Sequence, residues 1–175
     1  HSIRPRFLIK SIWNNLELLG ALSKREVVGR YRGSFMGLLW SFFYPVLMLV
    51  VYTFVFSVVF RARWQAGSES KLEFALALFA GLLFFNLFSE CITRAPTLII
   101  GNVSYVKRII FPLELLPLVA LGSALFHFIV SLIVWIVFYL LFFGPLHFQM
   151  MWLPLVMLPL LLLTLGLSWL LASLV

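Results

Sequence analysis

The chain has 175 residues, of which 63% are apolar and 11% charged, with a formal net charge of +7. A soluble domain averages about 45 to 50% apolar and roughly 25% charged, so a water-soluble fold of this length has no interior large enough for the surplus. That excludes a soluble globular class and leaves an integral membrane protein.

Seven of the 13 Lys and Arg precede Ser34. Without membrane spans such a cluster suggests nucleic acid; beside a span it marks the cytoplasmic side, so no nucleic-acid partner is expected. Cys91 stands alone, so no disulfide forms within the chain. No Asp occurs, which argues against hydrolase and metal-centre chemistry, and no catalytic or metal-binding residues are assigned. A cleaved leader is not expected, because Lys10, Asn14, Asn15 and Glu17 interrupt the first apolar stretch.

The predicted fold is all-α. Residues 1–33 form a cytoplasmic N-terminal segment, and residues 34–175 form a transmembrane domain. In residues 7–22, Leu8, Ile12, Leu16 and Leu19 recur at helical spacing, with Trp13 beside them and Lys10, Asn14 and Glu17 elsewhere on the turn. This predicts an amphipathic helix lying in the headgroup region; a helix packed on another protein surface is the alternative. Ser23 and Glu26 match the S-x-x-E capping box, which predicts a new helix starting at Ser23. Gly29 and Gly33 leave room for a bend before the first span.

That span covers about 35–60, a charge-free run of about 26 residues, or roughly 39 Å as a helix. Pro45 inside it removes a backbone hydrogen bond and predicts a bend near 41–44. Charges return between Arg61 and Glu73, in a loop placed outside. A second span at about 74–94 carries Glu90 and Arg94 at its far end, read first as an i,i+4 ion pair, with proton coupling as the alternative. Residues 95–117 form a cytoplasmic link with a short helix between Gly101-Asn102 and Phe111-Pro112. Two further spans follow at about 118–143 and 152–175, separated by Gly144-Pro145. His127, inside the third, is read as hydrogen-bonded between helices. Ten Lys and Arg fall on the N-terminal side of the membrane against Arg61, Arg63 and Lys71 on the other, which puts the N-terminus in the cytoplasm. The last residues are still apolar, and the natural protein is expected to continue.

Two stretches are specific enough to resemble a family. Arg30-Tyr31-Arg32-Gly33-Ser34, Gly37, Trp40, Pro45 and the run from Val51 to Phe56 resemble the first span of ABC transporter permeases that export polysaccharide (O-antigen, capsule or teichoic acid). Asn102, Val106-Lys107, Phe111-Pro112 and Leu116-Pro117 are similar to that family's link between spans two and three. The resemblance implies a six-span permease in the bacterial cytoplasmic membrane, of which this is the first part. It works as a homodimer with two copies of a P-loop ATPase that bind ATP and Mg, and moves a lipid-linked polysaccharide. It also implies that the link docks on the ATPase, through Tyr105, Val106, Lys107, Arg108, Phe111 and Pro112. No G-x-x-x-x-G-K-[ST] run occurs in this chain, so no nucleotide cofactor is expected here and ATP is bound elsewhere.

Arg25, Arg30 and Arg32, at the inner end of the first span, are candidates for holding the pyrophosphate of the lipid carrier; they equally suit anionic lipid headgroups. Trp40, Tyr44, Tyr52 and Phe56 are candidate channel-lining residues. Each four-residue step drifts about 40° on a straight helix, so they do not form one face, and interface anchoring is the alternative for Trp40 and Tyr44. Two rival functions are an ABC permease for drugs or lipids and a membrane-embedded glycosyl or acyl transferase. The transferase needs acids or histidines clustered at one depth, whereas Glu90, Glu114, His127 and His147 are scattered along the chain.

Overall fold

The computed structural model describes residues 12–33, 35–56, 71–101, 115–145, 148 and 152–174. Among these every regular element is a helix. Residues 12–14 are helical, and after a turn at Asn15 the helix α1 runs over Leu16–Tyr31. The predicted start at Ser23 is corrected: Leu, Glu and Ala at the other positions of residues 16–22 outweigh Gly20 and carry the helix straight through it. The Ser23 hydroxyl instead donates to the Val119 carbonyl at 3.5 Å. Of the expected apolar stripe, Leu8 lies outside the described residues, Ile12 and Leu19 are half-buried, and Leu16 is exposed. The helix passes through Gly29 and stops at Tyr31, where Gly33 adopts φ +93°, a left-handed conformation that costs a side-chain-bearing residue far more.

A 3₁₀ turn, Gly37–Leu39, leads into α2, Trp40–Phe54, with Pro45 accommodated and buried within the helix. Residues 55–56 continue as a wider π turn. α3 is Lys71–Arg94, extended by the 3₁₀ turn Ala95–Thr97 and the short α4, Leu98–Gly101. α5 is Leu115–Phe143 and α6 is Leu153–Ser173. α5 already includes Leu115, Leu116 and Pro117, which the sequence reading places in the link before the third span.

Among the described residues four helical stretches are long and apolar enough to cross a membrane: Gly37–Phe54, Glu73–Thr97, Leu115–Phe143 and Leu153–Ser173. Burial supports that reading, because the buried stripe is often the more polar one. In α2 the buried residues are Ser41, Pro45 and Leu49, while Phe42, Phe43, Leu47 and Val50 are exposed. In α6 they are Met157, Thr164, Ser168 and Ala172, while Leu155, Leu158, Leu162 and Leu163 are exposed. Small and hydroxylated residues let helices approach closely where the surrounding solvent is as apolar as leucine. Thr53 and Thr164 return their hydroxyls to the carbonyls of Leu49 and Leu160, each at 2.7 Å, which removes a polar group from the apolar surroundings.

The chain divides into two compact units. One takes α1 up to Arg30, the end of α3 from Phe88, α4, α5 up to Phe126, and α6 from Pro154. The other takes Tyr31, α2, α3 up to Leu87, and α5 from His127.

Candidate functional site

In the first unit, charge gathers where α1 meets the end of α3. Glu26 and Arg30 lie four residues apart on α1, and Glu90 and Arg94 lie four apart on α3. The two E-x-x-x-R patterns pair crosswise: the Arg30 guanidinium donates to Glu90 Oε1 at 2.5 Å, and Arg94 pairs with Glu26. Such crossing requires the helices to run antiparallel here, so that each acid meets the other helix's base. Arg94 also reaches Glu90 at 3.5 Å, the i,i+4 pair expected from the sequence, which closes the network. These side chains keep 20 to 38% of their accessible surface, so water screens the pairs only in part, and removing one partner leaves a partly desolvated charge uncompensated.

α1 is also held against α5 in this unit. Gly122 leaves no room to spare: a Cβ there would stand 2.4 Å from Ser23 Oγ and 3.0 Å from its Cβ. Beside this contact lies a cleft of about 240 Å³, with Arg25, Glu26 and Arg94 on it and apolar walls from Leu22, Leu98, Leu116 and Val119. Leu98 and Leu116 pack with Ala120 as a buried apolar cluster beneath.

The second unit is aromatic. Tyr52 packs against Phe56 and Phe79, with centroids 6.2 and 6.3 Å away, and Phe56 meets Phe74 at 6.0 Å. Phe84 meets Phe128 at 5.3 Å, and the indole N–H of Trp135 donates to the Leu76 carbonyl at 2.9 Å. Tyr31, at the end of α1, shares a 3.0 Å hydrogen bond with His127 Nε2, the interhelical role expected for that histidine.

The sequence-derived candidates therefore part company. Arg25 lines the cleft, Arg30 is engaged by Glu90, and Arg32 is exposed just beyond α1. Tyr52 and Phe56 are half-buried among rings, whereas Trp40 and Tyr44 are exposed. Tyr105, Val106, Lys107, Arg108, Phe111 and Pro112 lie outside the described residues. Sequence reasoning missed the pairing of Glu26 with Arg94 and of Arg30 with Glu90, and the repeated E-x-x-x-R pattern was the available signal. Among the described residues no three His, Cys, Asp or Glu side chains gather to hold a metal.

A family model described as "ABC-2 type transporter" matches residues 17–175. Among similar proteins, the O-antigen export system permease protein RfbA of Myxococcus xanthus is 32% identical over 125 residues, 71% of this chain and 45% of the relative. Two proteins of the same name from Klebsiella pneumoniae are 27% and 28% identical over 122 residues, 70% of this chain and 44% of each relative. The matched stretch is thus a little under half the length of these relatives.

Proposed function

Since this chain belongs to the ABC-2 type transporter family, we propose that it is the permease subunit of an ATP-driven exporter that moves a lipid-linked polysaccharide, of the O-antigen, capsule or teichoic acid type, outward across the bacterial cytoplasmic membrane. The observation that carries this reading is the similarity to relatives named as O-antigen export permeases, over about 70% of the chain. The four apolar helices supply the crossing, and the sequence holds no phosphate-cradling P-loop. In this reading the chain is a transport subunit, ATP and Mg belong to a separate ATPase present in two copies, and a second copy of the permease completes the passage.

The N-terminus is cytoplasmic in this proposal, and Trp13 and Leu16, exposed on the first turns, lie among the headgroups. Arg25, Arg30 and Arg32 stand at the headgroup entrance. Trp40 and Tyr44, exposed on a single chain, would line a passage only against the second copy, while Tyr52 and Phe56 sit against their own helices' rings. The link carrying Tyr105, Val106, Lys107, Arg108, Phe111 and Pro112 docks on the ATPase, with Phe111 as apolar anchor and Lys107 and Arg108 facing acids.

Purification of the full-length protein from its native membrane tests this directly: a P-loop ATPase should accompany it. Phe111→Ala should weaken that association by about 2 kcal/mol, and Lys107→Glu with Arg108→Glu should weaken it further at low salt. A fully inserted protein that brings no ATPase, or whose loss leaves glycan export intact, overturns the reading.

A further inference from the structure

The cleft between α1, α3, α4 and α5 has three properties that together specify a ligand. Its polar side carries Arg25, Glu26 and Arg94, two cations against one anion, so it favours a negative group. Its other walls are Leu22, Leu98, Leu116 and Val119, which a bare inorganic ion does not need and an acyl-bearing molecule does. It also lies where two membrane-spanning stretches end: Arg94 is close to the end of Glu73–Thr97, and Leu116 is close to the start of Leu115–Phe143. That is the depth at which lipid headgroups sit.

We propose that this cleft binds the phosphate headgroup of an anionic membrane phospholipid, with Arg25 and Arg94 on the phosphate and Glu26 as the side chain the phosphate displaces from Arg94. A guanidinium fork accepts two oxygens of a carboxylate or of a phosphate in the same geometry, so the exchange preserves the charge-assisted contacts of Arg94. Arg94 keeps Glu90 as a second partner throughout. Because Glu26 also ties α1 to α3, an occupied cleft loosens one of the two crosswise pairs while the Arg30 to Glu90 pair remains. The ligand thus regulates how firmly the N-terminal helix is held. The inference concerns lipid selection and stands independently of which cargo the transporter moves.

The test uses the full-length protein reconstituted in phosphatidylcholine membranes, with trace spin-labelled phosphatidylglycerol or phosphatidylcholine, and reads the association of each label with the protein. Wild type should prefer phosphatidylglycerol. Arg25→Gln should cut that preference about fivefold, the scale of one basic residue near an anionic lipid surface. Lys24→Gln removes the same charge one residue away, on a side chain that does not line the cleft, and should leave the preference within about twofold. Glu26→Gln should raise the preference, because the competitor for Arg94 is weakened. Opposite effects from adjacent variants do not arise from unfolding. Equal losses in Lys24→Gln and Arg25→Gln reduce the effect to general surface charge and overturn the proposal, as does a lowered preference in Glu26→Gln. Loss of the preference on replacing chloride with inorganic phosphate at equal ionic strength assigns the site to a free anion and likewise overturns it.

Discussion

One unit of this chain is joined by charges and the other by rings. In the first, Glu26, Arg30, Glu90 and Arg94 cross-link α1 to α3, and Ser23 meets Gly122 with no space between. In the second, Tyr52, Phe56, Phe74 and Phe79 pack among themselves with tilted rings and Phe84 meets Phe128. Among spans the contrast has an energetic meaning. Lipid tails are as apolar as phenylalanine, so ring contacts gain dispersion and fit but little hydrophobic driving force. A half-desolvated charge, by contrast, has no comparable partner among the acyl tails and is costly when orphaned. The charged joint therefore fixes the register of α1 on α3, while the aromatic packing fills space and tolerates substitution.

The sharpest way to break this contrast is Glu90→Gln. Glu90 serves both Arg30 and Arg94, so neutralising it leaves two guanidinium groups short of an acid, with an expected cost on the order of 3 kcal/mol. Thermal unfolding of the full-length protein in detergent reads this, and the double variant Glu90→Gln with Arg30→Gln should recover part of the loss, since deleting both partners strands fewer charges. A single variant as stable as wild type would mean that the network is only a surface decoration. Next in size is Gly122→Ala, which drives a methyl group into Ser23 and should cost about 2 kcal/mol by overpacking. Ser23→Ala in the same chain should return some of it, because the hydroxyl is the nearer obstacle at 2.4 Å.

These two joints differ in how visible they were beforehand. The four apolar crossings are plain in the sequence, because long runs nearly free of charge have no place but lipid. Glu90 and Arg94 were readable as a pair because both sit on one helix. Their cross-partners on α1 were not, since nothing in a linear sequence says which distant helix docks, although the matching E-x-x-x-R spacing on both helices was present. Ser23 misleads for a local reason: its spacing to Glu26 matches a capping motif that marks helix starts, but tertiary packing uses Ser23 mid-helix, where its hydroxyl donates to the Val119 carbonyl. The aromatic spacing of Trp40, Tyr44, Tyr52 and Phe56 did not form one face, and the structure exposes the first two and half-buries the others.

On the aromatic side, Phe128→Ala should cost about 1 to 2 kcal/mol, less than the 3 to 5 typical of a water-soluble core, because lipid or a neighbouring side chain can refill the space. The same unfolding measurement checks it. A loss equal to that of Glu90→Gln would erase the distinction between the two joints.

The smallest effect gives the finest test, because Tyr31 combines a ring contact with a neutral hydrogen bond. Its ring stands edge-on to His127, with centroids 5.9 Å apart at 76°, and its hydroxyl shares the 3.0 Å hydrogen bond with Nε2. Tyr31→Phe keeps the ring and deletes only the bond, so the two contributions separate in one substitution. Single interhelical hydrogen bonds in membrane proteins average about 0.6 kcal/mol, because the broken state also finds partners. Tyr31→Phe should therefore cost about that much, and a double-mutant cycle with His127→Phe should show coupling of similar size. A neutral hydrogen bond is then worth far less than the charged joint, although both link α1 to a spanning helix. If Tyr31→Phe instead costs as much as Glu90→Gln, charge is not what distinguishes the first unit, and the hold on α1 comes from polar contact of any kind.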